Sequence, residues 1–378
     1  MDTQFSSSRH SELQEYSVVF TDRSLNSMSK PFQEVMRGLH DGLCEVYGAS
    51  TCVLIPGGGS YAMEAVARQF ASNENVLVVR NGWFSYRWSQ IFDQGVTPEH
   101  AEIVMARPNT DNKDQQFSPA PIDHICDKIR AESPRVVVSP HVETSAGILM
   151  PDSYLKQIAD AAHEVGAIFV LDCVASGALW VDMKDSGVDV IITAPQKGWT
   201  STPCAGVVML SDRACERMQE TTSDSFVLDL KKWHQIMKTY LDGGHAYHTT
   251  MPTDGLSQFY DAYLEMKSFG FDKAKAAQIE LGTKLRKVVE GYGYKSLAAE
   301  GFQSPTVIVS HTDRDDIKNG AAFAAQGVQI AAGVPLECGE SSAFKTYRIG
   351  LFGLDKLMNI ERTISNFETV LDKVTQAS

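Results

Sequence analysis

Two apolar segments of the sequence carry residues that could do acid–base or carbonyl chemistry. The segment A-I-F-V-L-D-C-V (167–174) contains Asp172, and the segment V-D-V-I-I-T-A-P-Q-K-G-W (188–199) contains Lys197. Their near-continuous apolarity predicts parallel strands that are buried on both faces. Parallel strands joined by a crossover place their carboxyl ends at one edge of the sheet, where ligands bind. The sequence therefore predicts that a carboxylate and a primary amine face one crevice.

An acid and a lysine at neighbouring strand ends meet the needs of pyridoxal 5′-phosphate. The lysine forms a Schiff base with the aldehyde, and the acid keeps the pyridine nitrogen protonated, so that the ring can withdraw electrons. Taken singly, either residue is more simply a turn aspartate or a solvated lysine. The cofactor assignment therefore depends on the other motifs.

The turn P-G-G-G-S (56–60) stands between a predicted strand and a predicted helix. Glycines let the backbone approach a ligand closely, and the free N–H groups at a helix start favour a phosphate. The sequence contains no G-x-x-x-x-G-K-[ST] or G-x-G-x-x-G pattern, which argues against ATP or a dinucleotide. A plain tight turn is the alternative. No lysine or arginine adjoins the turn, so we expect further phosphate donors from elsewhere.

Three later motifs carry aromatic, hydroxyl or cationic groups. N-G-W-F-S-Y-R-W (81–88) offers rings of which one or two could stack on a flat cofactor, while the others pack in the core. H-V-E-T-S-A-G (141–147) supplies hydroxyls and a carboxylate that could bond a ring substituent, or ordinary loop chemistry. Y-R-I-G-L-F-G (347–353) contains Arg348, and a guanidinium is the preferred bidentate partner of a carboxylate.

The stretch A-Y-H-T-T-M-P (246–252), with His245 just before it and His248 within it, has the H-x-x-H spacing of some zinc sites. It lacks a cysteine partner and the H-E-x-x-H pattern. We expect no metal.

Composition excludes several classes of protein. The chain has 378 residues, of which 43% are hydrophobic, so it can bury a large core. Its formal net charge of −13 argues against general affinity for nucleic acid or anionic membranes. The seven cysteines are scattered, without a C-x-x-C pair, as is typical of a reducing compartment. The sequence shows no apolar leader and no apolar run of roughly 18 residues, which predicts a cytoplasmic protein.

The elements that must position these motifs alternate between strand and helix. This alternation predicts a doubly wound, mostly parallel sheet. A strand at 205–210 follows the lysine loop too closely for a helical crossover, so we predict that it is antiparallel. The predicted strands of this part are 51–55, 75–80, 102–106, 135–140, 167–172 and 188–193, and the predicted helices are 31–47, 61–70, 84–93, 121–131 and 151–165.

The remaining sequence predicts a smaller α+β region. From about residue 256 a long helix is followed by short strands at 305–310, 327–331 and 346–349, and by a final helix at 355–374. The predicted organisation is an N-terminal arm (1–17), a large cofactor-binding domain (18–269) and a small C-terminal domain (270–378).

With these motifs in order, the sequence resembles the class V aminotransferases of the fold-type I pyridoxal phosphate enzymes, in particular the alanine–glyoxylate and serine–pyruvate aminotransferase group. The resemblance spans roughly residues 45–365. It includes the glycine turn with A-M-E-A, N-G-W-F-S-Y-R, H-V-E-T-S-A-G, L-D-C-V-A-S, P-Q-K-G-W, Y-H-T-T-M-P and R-I-G-L-F-G.

The resemblance implies a role for each matching residue. Lys197 would be the Schiff-base lysine and proton shuttle, and Asp172 the partner of the pyridine nitrogen. Arg348 would bind the substrate α-carboxylate. The implied cofactor contacts are Phe84 on the ring face, Thr144 near the ring hydroxyl, Gly58, Gly59, Ser60 and Gln196 at the phosphate, and Tyr247 and Thr250 at the phosphate of the neighbouring subunit. The implied assembly is a homodimer with shared active sites.

Three positions depart from the family pattern. The segment F-T-D-R-S-L-N-S-M-S (20–29) replaces a Gly-Pro-rich opening where substrate-facing backbone is expected. Phe84 stands where a tryptophan is common, and Trp199 stands where a small residue is more usual. These departures bear on the substrate more than on the type of reaction.

The predicted reaction is transamination from a small amino acid to a 2-oxo acid such as glyoxylate or pyruvate. An aminophosphonate donor is an alternative that the sequence does not separate from it. A cysteine desulfurase or lyase is a further alternative, with Cys338 as its candidate nucleophile. A catalytically silent binding or regulatory protein of the same fold is the third.

Overall fold

The computed structural model describes residues 13–95, 97–110, 112 and 114–376, so most of the predicted N-terminal arm lies outside the described residues. Within those residues the chain forms fourteen strands and fourteen helices. The strands, numbered in chain order, are β1 (Thr51–Pro56), β2 (Asn75–Arg80), β3 (His100–Met105), β4 (Arg107–Pro108), β5 (Phe117–Ser118), β6 (Val136–Pro140), β7 (Val142–Glu143), β8 (Ile148–Leu149), β9 (Ile168–Asp172), β10 (Val190–Thr193), β11 (Ala205–Leu210), β12 (Val307–His311), β13 (Ala331–Ala332) and β14 (Thr346–Gly350).

The helices are numbered in the same way. They are α1 (Lys30–Tyr47), α2 (Gly59–Phe70), α3 (Trp83–Asp93), α4 (Ile122–Glu132), α5 (Asp152–Glu164), α6 (Met183–Ser186), α7 (Asp212–Glu220), α8 (Leu230–Leu241), α9 (Thr253–Phe269), α10 (Phe271–Gly291), α11 (Asp315–Lys318), α12 (Ala321–Ala324), α13 (Leu354–Met358) and α14 (Ile360–Gln376). Ser29 caps α1, and its side chain accepts a hydrogen bond from Phe32 N.

A seven-stranded sheet forms the centre of the fold. Its strand order is β1-β11-β10-β9-β6-β2-β3, and the five strands from β10 to β3 are parallel. The interior residues of these strands are largely buried, as their continuous apolarity predicts. The predicted α/β class with a mainly parallel sheet is confirmed.

The strand β11 lies between β1 and β10 and is antiparallel to both. This confirms the prediction made from its short distance to the preceding strand. The arrangement places β1, the first strand of the chain, at the edge of the sheet, and the glycine turn follows directly after it.

The C-terminal part contains a three-stranded antiparallel sheet with the order β12-β14-β13. The strand predicted at 327–331 is reduced to the two residues of β13, since Gly327 adopts a left-handed turn conformation. The final helix is interrupted at Asn359, whose side-chain amide donates to Asp355 O at 2.9 Å. The predicted boundary after residue 269 falls at Gly270, between α9 and α10, and the division into domains stays a prediction.

Among the described residues, no helix is both long enough and apolar enough to cross a membrane.

Candidate active site

A cavity of about 200 Å³ lies where the strands β6, β9 and β10 end. Seven of the eleven predicted site residues contribute to its wall. The lining residues are Gly59, Ser60, Met63, Phe84, Arg87, Pro140, Val142, Thr144, Asp172, Val174, Ala175, Gln196 and Lys197. The structure thus brings the predicted acid, the predicted lysine and the glycine turn to one place.

Asp172 is the last residue of β9, and the sheet register pairs it with Pro140 of β6 and Ile192 of β10. Its Oδ1 accepts a hydrogen bond from Val174 N at 2.9 Å. Burial raises the pKa of the Asp172 carboxyl to about 6, although that hydrogen bond opposes the change. A cationic group in the cavity would lower the pKa again. The carboxylate is therefore suited to a positively charged ligand atom.

Lys197 is in the loop that follows β10. Its Nζ is 5.3 Å from the centroid of the Phe352 ring. Burial, and after it the positive charge of Arg348, lowers the pKa of Lys197. A lowered pKa increases the fraction of neutral amine, which is the nucleophilic form of lysine.

The indole of Trp199 fixes the lysine loop in the core. It is fully buried, and its ring centroid is 4.6 Å from that of Trp180 and 6.2 Å from that of Tyr47. The departure from a small residue at this position is therefore explained by packing, because Trp199 faces the interior and does not line the cavity.

The N-terminus of α2 forms one end of the cavity. Its N-cap is Gly58, which offers no side chain to the first N–H groups of the helix. A Cβ on Gly59 would lie 2.7 Å from the Val174 side chain, so that position has no room for a larger residue. With the hydroxyl of Ser60, this end of the cavity is suited to an anion.

Arg87 is a phosphate donor candidate from elsewhere in the same chain, a source that was not named in the prediction. Its Nη1 donates a hydrogen bond to Ser60 Oγ at 2.7 Å. The residue lies on α3, far from the turn in sequence, and was not assigned a role in the sequence analysis. Its position shows that a guanidinium does stand beside the anion end of the cavity.

The Phe84 ring contacts two arginines. The Cζ atoms of Arg87 and Arg348 are each 5.4 Å from the centroid of its ring, a distance typical of cation–π contacts. Arg348 is fixed by a hydrogen bond from its Nε to Ala332 O at 2.8 Å. Arg348 thus borders the cavity on the side of Phe84, although it is not part of the wall itself.

The motif 141–147 is used differently from its prediction. Thr144 lines the cavity, and its contact with the ring hydroxyl stays a prediction. The Glu143 carboxylate, which was expected to serve a ring substituent, instead accepts hydrogen bonds from Phe84 N and Ser85 N at the start of α3. It is buried and faces the protein.

Tyr247 and Thr250 do not belong to the described wall of the cavity. Both are exposed, and their hydroxyl oxygens are 3.2 Å apart. His248, considered for zinc, contacts Phe226 O through Nε2 at 2.7 Å. The segment 20–29 is also absent from the described wall. It is attached elsewhere, since Tyr240 donates to Ser27 O and Leu25 N donates to Asp254.

The cavity residues fit pyridoxal phosphate. Gly59, Ser60 and Arg87 would hold the phosphate, Asp172 the pyridine nitrogen, and Lys197 the aldehyde carbon. The buried Oε1 of Gln196 has no hydrogen-bond donor among the described residues, so it is free to bond a ligand. Phe84 and Thr144 would contact the ring.

Comparisons with known proteins support this fit. A family model for class-V aminotransferases matches residues 8–351. A curated protein, the 2-aminoethylphosphonate–pyruvate transaminase 2 of Paraburkholderia xenovorans (strain LB400), is 26% identical over 353 residues, which cover 91% of this chain and 90% of that protein.

Two solved structures share the fold. The alanine–glyoxylate aminotransferase of a Nostoc species superposes with a TM-score of 0.77 at 20% identity, covering 92% of this chain and 89% of that one. The ureidoglycine–glyoxylate aminotransferase of Bacillus subtilis superposes with a TM-score of 0.76 at 19% identity, covering 94% and 91%. At these identities the likeness concerns the fold alone.

Proposed function

This chain belongs to the class V aminotransferase family, and on that premise we propose that it moves an amino group from a small amino acid to a small 2-oxo acid such as glyoxylate or pyruvate. It is a pyridoxal 5′-phosphate-dependent transaminase. One observation carries the proposal. An acid at a strand end, a lysine of lowered pKa and an anion-binding helix start meet in one cavity that Arg348 borders.

The bound cofactor would supply an aldehyde that takes up the amino group and a ring that stabilises negative charge at the donor α-carbon. We assign proton transfer at that carbon to Lys197 Nζ, because burial and Arg348 favour its neutral form. The Asp172 carboxylate would hold the proton on the pyridine nitrogen. Arg348 would bind the acidic group of the donor, since its guanidinium lies beside Phe84 at the edge of the cavity.

An aminophosphonate donor is a second candidate. The curated relative described above is a 2-aminoethylphosphonate–pyruvate transaminase. A phosphonate, like a carboxylate, is an anion that a guanidinium binds through paired N–H donors. The cationic border formed by Arg348 therefore supports either donor.

The cysteine desulfurase alternative has less support. Cys338 is buried, and its Sγ lies 3.6 Å from Arg80 O and 3.7 Å from Leu336 O, so its single S–H can donate to either carbonyl. Burial raises the pKa of the Cys338 thiol to about 12, so it is protonated at neutral pH. A nucleophilic cysteine requires the thiolate.

We propose further that two copies of the chain share their active sites. Tyr247 is 59% exposed, its hydroxyl is 3.2 Å from that of Thr250, and neither residue is in the described wall of the cavity of its own chain. Phe226, which packs on His248 beside them, is 72% exposed. An exposed apolar side chain next to exposed hydroxyls is what a partner subunit would cover.

A donor screen tests the function. The protein is saturated with pyridoxal phosphate, and its visible band is followed on addition of alanine, serine, aspartate, cysteine or 2-aminoethylphosphonate, and then of glyoxylate or pyruvate. Loss of the band with a small amino acid and its return with a 2-oxo acid is the expected result. A response to 2-aminoethylphosphonate alone selects the second candidate. Persulfide formation from cysteine selects the desulfurase, and no response to any amine overturns the proposal and supports a silent protein.

A further inference from the structure

Glu143 is a fully buried carboxylate that is not part of the cavity wall. Its Oε1 accepts hydrogen bonds from Phe84 N at 3.1 Å, Ser145 N at 3.0 Å and Ser145 Oγ at 2.7 Å. Its Oε2 accepts from Ser85 N at 2.9 Å and Ser85 Oγ at 2.7 Å. Since every one of these contacts is to an N–H or O–H group, both oxygens act as acceptors. This arrangement matches the ionised form.

The contacts of Glu143 provide hydrogen-bond acceptors for the free N–H groups at the amino end of α3. The N-cap of this helix is Gly82, which has no side chain to accept from the first turn. Trp83 N donates to Ser145 Oγ at 2.9 Å, and Ser145 Oγ in turn donates to Glu143. The first three N–H groups of α3 therefore end on Glu143, directly or through one hydroxyl. The negative charge also matches the positive end of the helix dipole.

Close packing makes this arrangement specific. A Cβ on Gly82 would lie 2.1 Å from Ser145 Oγ and 2.8 Å from Glu143 Cγ. Any larger residue at position 82 would push the loop 143–145 away from α3. The glycine is thus required for the carboxylate to reach the helix.

Two residues of the cavity wall are held by these bonds. Phe84 donates its own backbone N–H to Glu143, and Thr144 stands between Glu143 and Ser145, both of which are fixed. The charge of Glu143 also acts on the site. It adds to the effect of burial in raising the pKa of Asp172. Burial lowers the pKa of Arg348, and the charge of Glu143 opposes that change. One buried group therefore influences the ring-contacting residues and two ionisable groups of the site.

We propose that Glu143 is a positioning residue that fixes the positions of Phe84 and Thr144, relative to each other, against the ring of the bound cofactor. The inference rests on the proposed function, in which these two residues contact that ring. Glu143 itself does not touch the cofactor or the substrate.

The substitution Glu143→Gln tests the proposal with little change of volume. A carboxamide can accept at only one of its two polar atoms, so its NH₂ group would face N–H or O–H donors either of Ser85 or of Phe84 and Ser145. We expect the dissociation constant of pyridoxal phosphate to rise about tenfold or more, as buried donors lose their acceptor. We also expect the visible circular dichroism of the bound cofactor to change at saturation, because that signal depends on how the ring is held. Ser145→Ala should shift both quantities in the same direction by less.

Asp189→Asn is the matched control. Asp189 is also buried, and it directly precedes β10, at the amino end of that strand. It accepts hydrogen bonds from Phe169 N at 2.9 Å and Ser211 Oγ at 3.1 Å, and His163 Nε2 lies 2.8 Å from its Oδ2. The control should lower thermal stability and leave the cofactor affinity and dichroism unchanged.

If Glu143→Gln lowers stability as Asp189→Asn does, yet keeps wild-type affinity and dichroism, the positioning role is refuted. If Glu143→Gln does not fold, wild-type values for Ser145→Ala refute it equally. A wild-type protein that binds the cofactor but responds to no amino donor would overturn the proposed function instead. The affinity and dichroism of the variants would still decide the role of Glu143.

Discussion

Arg87, in the second turn of α3, donates a hydrogen bond of 2.7 Å from Nη1 to the Oγ of Ser60, in the first turn of α2. The two residues are 27 positions apart in the chain. The bond places a positive charge at the N-terminus of α2, where the local sequence has none.

Arg87→Gln is expected to weaken the binding of pyridoxal phosphate by about tenfold, because a charge-assisted contact to a phosphate is replaced by a neutral one. Equilibrium titration of the cofactor-free protein measures this. Arg68→Gln is the control, since Arg68 lies at the other end of α2 and pairs with Glu64 and Asp224. Equal affinities for the two variants would show that Arg87 does not serve the phosphate.

Lys197→Ala should abolish any borohydride-reducible bond between protein and cofactor. Lys197 lies within the cavity wall, and its lowered pKa favours the nucleophilic amine. Mass spectrometry after reduction detects the bond. Lys356→Ala is the control. Lys356 Nζ donates a hydrogen bond to Phe352 O at 2.8 Å, and the ring of Phe352 is the one that Lys197 contacts. A reducible bond that persists in Lys197→Ala would show that another lysine carries the cofactor.

Asp172→Asn should change how the stability of the cofactor-free protein depends on pH. Burial raises the pKa of Asp172 from 3.8 to about 6, so the folded protein binds this proton more tightly than the unfolded chain. The free energy of unfolding therefore falls as pH rises from about 4 through about 6, by about 2–3 kcal/mol for this group.

Denaturant unfolding measures the free energy of unfolding across this pH range. Its fall with rising pH should be smaller in Asp172→Asn than in the wild type by about 2–3 kcal/mol. Parallel profiles for the two proteins would contradict the assignment. The variant should also turn over slowly at saturating cofactor, because the pyridine nitrogen loses its anionic partner.

Arg348→Gln should raise the KM for the amino donor by about tenfold or more, since a guanidinium–anion pair is lost, while the affinity for the cofactor stays close to wild type. It should also raise the pKa of Lys197, because the charge of Arg348 helps to lower it. In the cofactor-free protein, the pH dependence of the labelling of Lys197 by an amine reagent would then move to higher pH. Arg213→Gln serves as the control, as Arg213 also donates to a backbone carbonyl, that of Ala167, outside the cavity wall. A wild-type KM in Arg348→Gln would exclude Arg348 as the donor-binding residue.

Two inactive variants should restore activity when their subunits exchange. Lys197→Ala lacks the lysine, and the double variant Tyr247→Phe with Thr250→Ala lacks the hydroxyls proposed for the partner's site. In a mixed dimer one site carries both defects and the other carries neither. Random exchange of equal amounts should therefore give about a quarter of wild-type activity. If exchange is shown by mass and no activity returns, the sites are not shared.

The sequence predicted those parts of the fold that depend on local pattern. The strands that end near Asp172 and Lys197 follow from continuous apolarity, and the direction of β11 follows from its short connection. The helices α7 and α8 were not predicted. Ser211 and Asp229 cap them with their side chains, and serine and aspartate at these positions are a sequence signal for a helix start. Arg87 could not be placed from the sequence, because its contact with Ser60 arises only when α2 and α3 pack together. The use of Glu143 at α3 likewise depends on a long-range approach.

The pairing of β1 with β11 has a consequence for the order of folding. Thr51 is in register with Leu210, and Gly57 N donates to Cys204 O at 3.0 Å, so the glycine turn is held by residues about 150 positions later. Contacts of such high sequence separation form slowly, because a long loop must close first. The anion end of the cavity is therefore completed only after residues 204–210 have paired with β1. During synthesis, a chain whose residues 204–210 have not yet left the ribosome lacks the support for this turn. Uptake of the cofactor would therefore mark a late stage in the maturation of the protein.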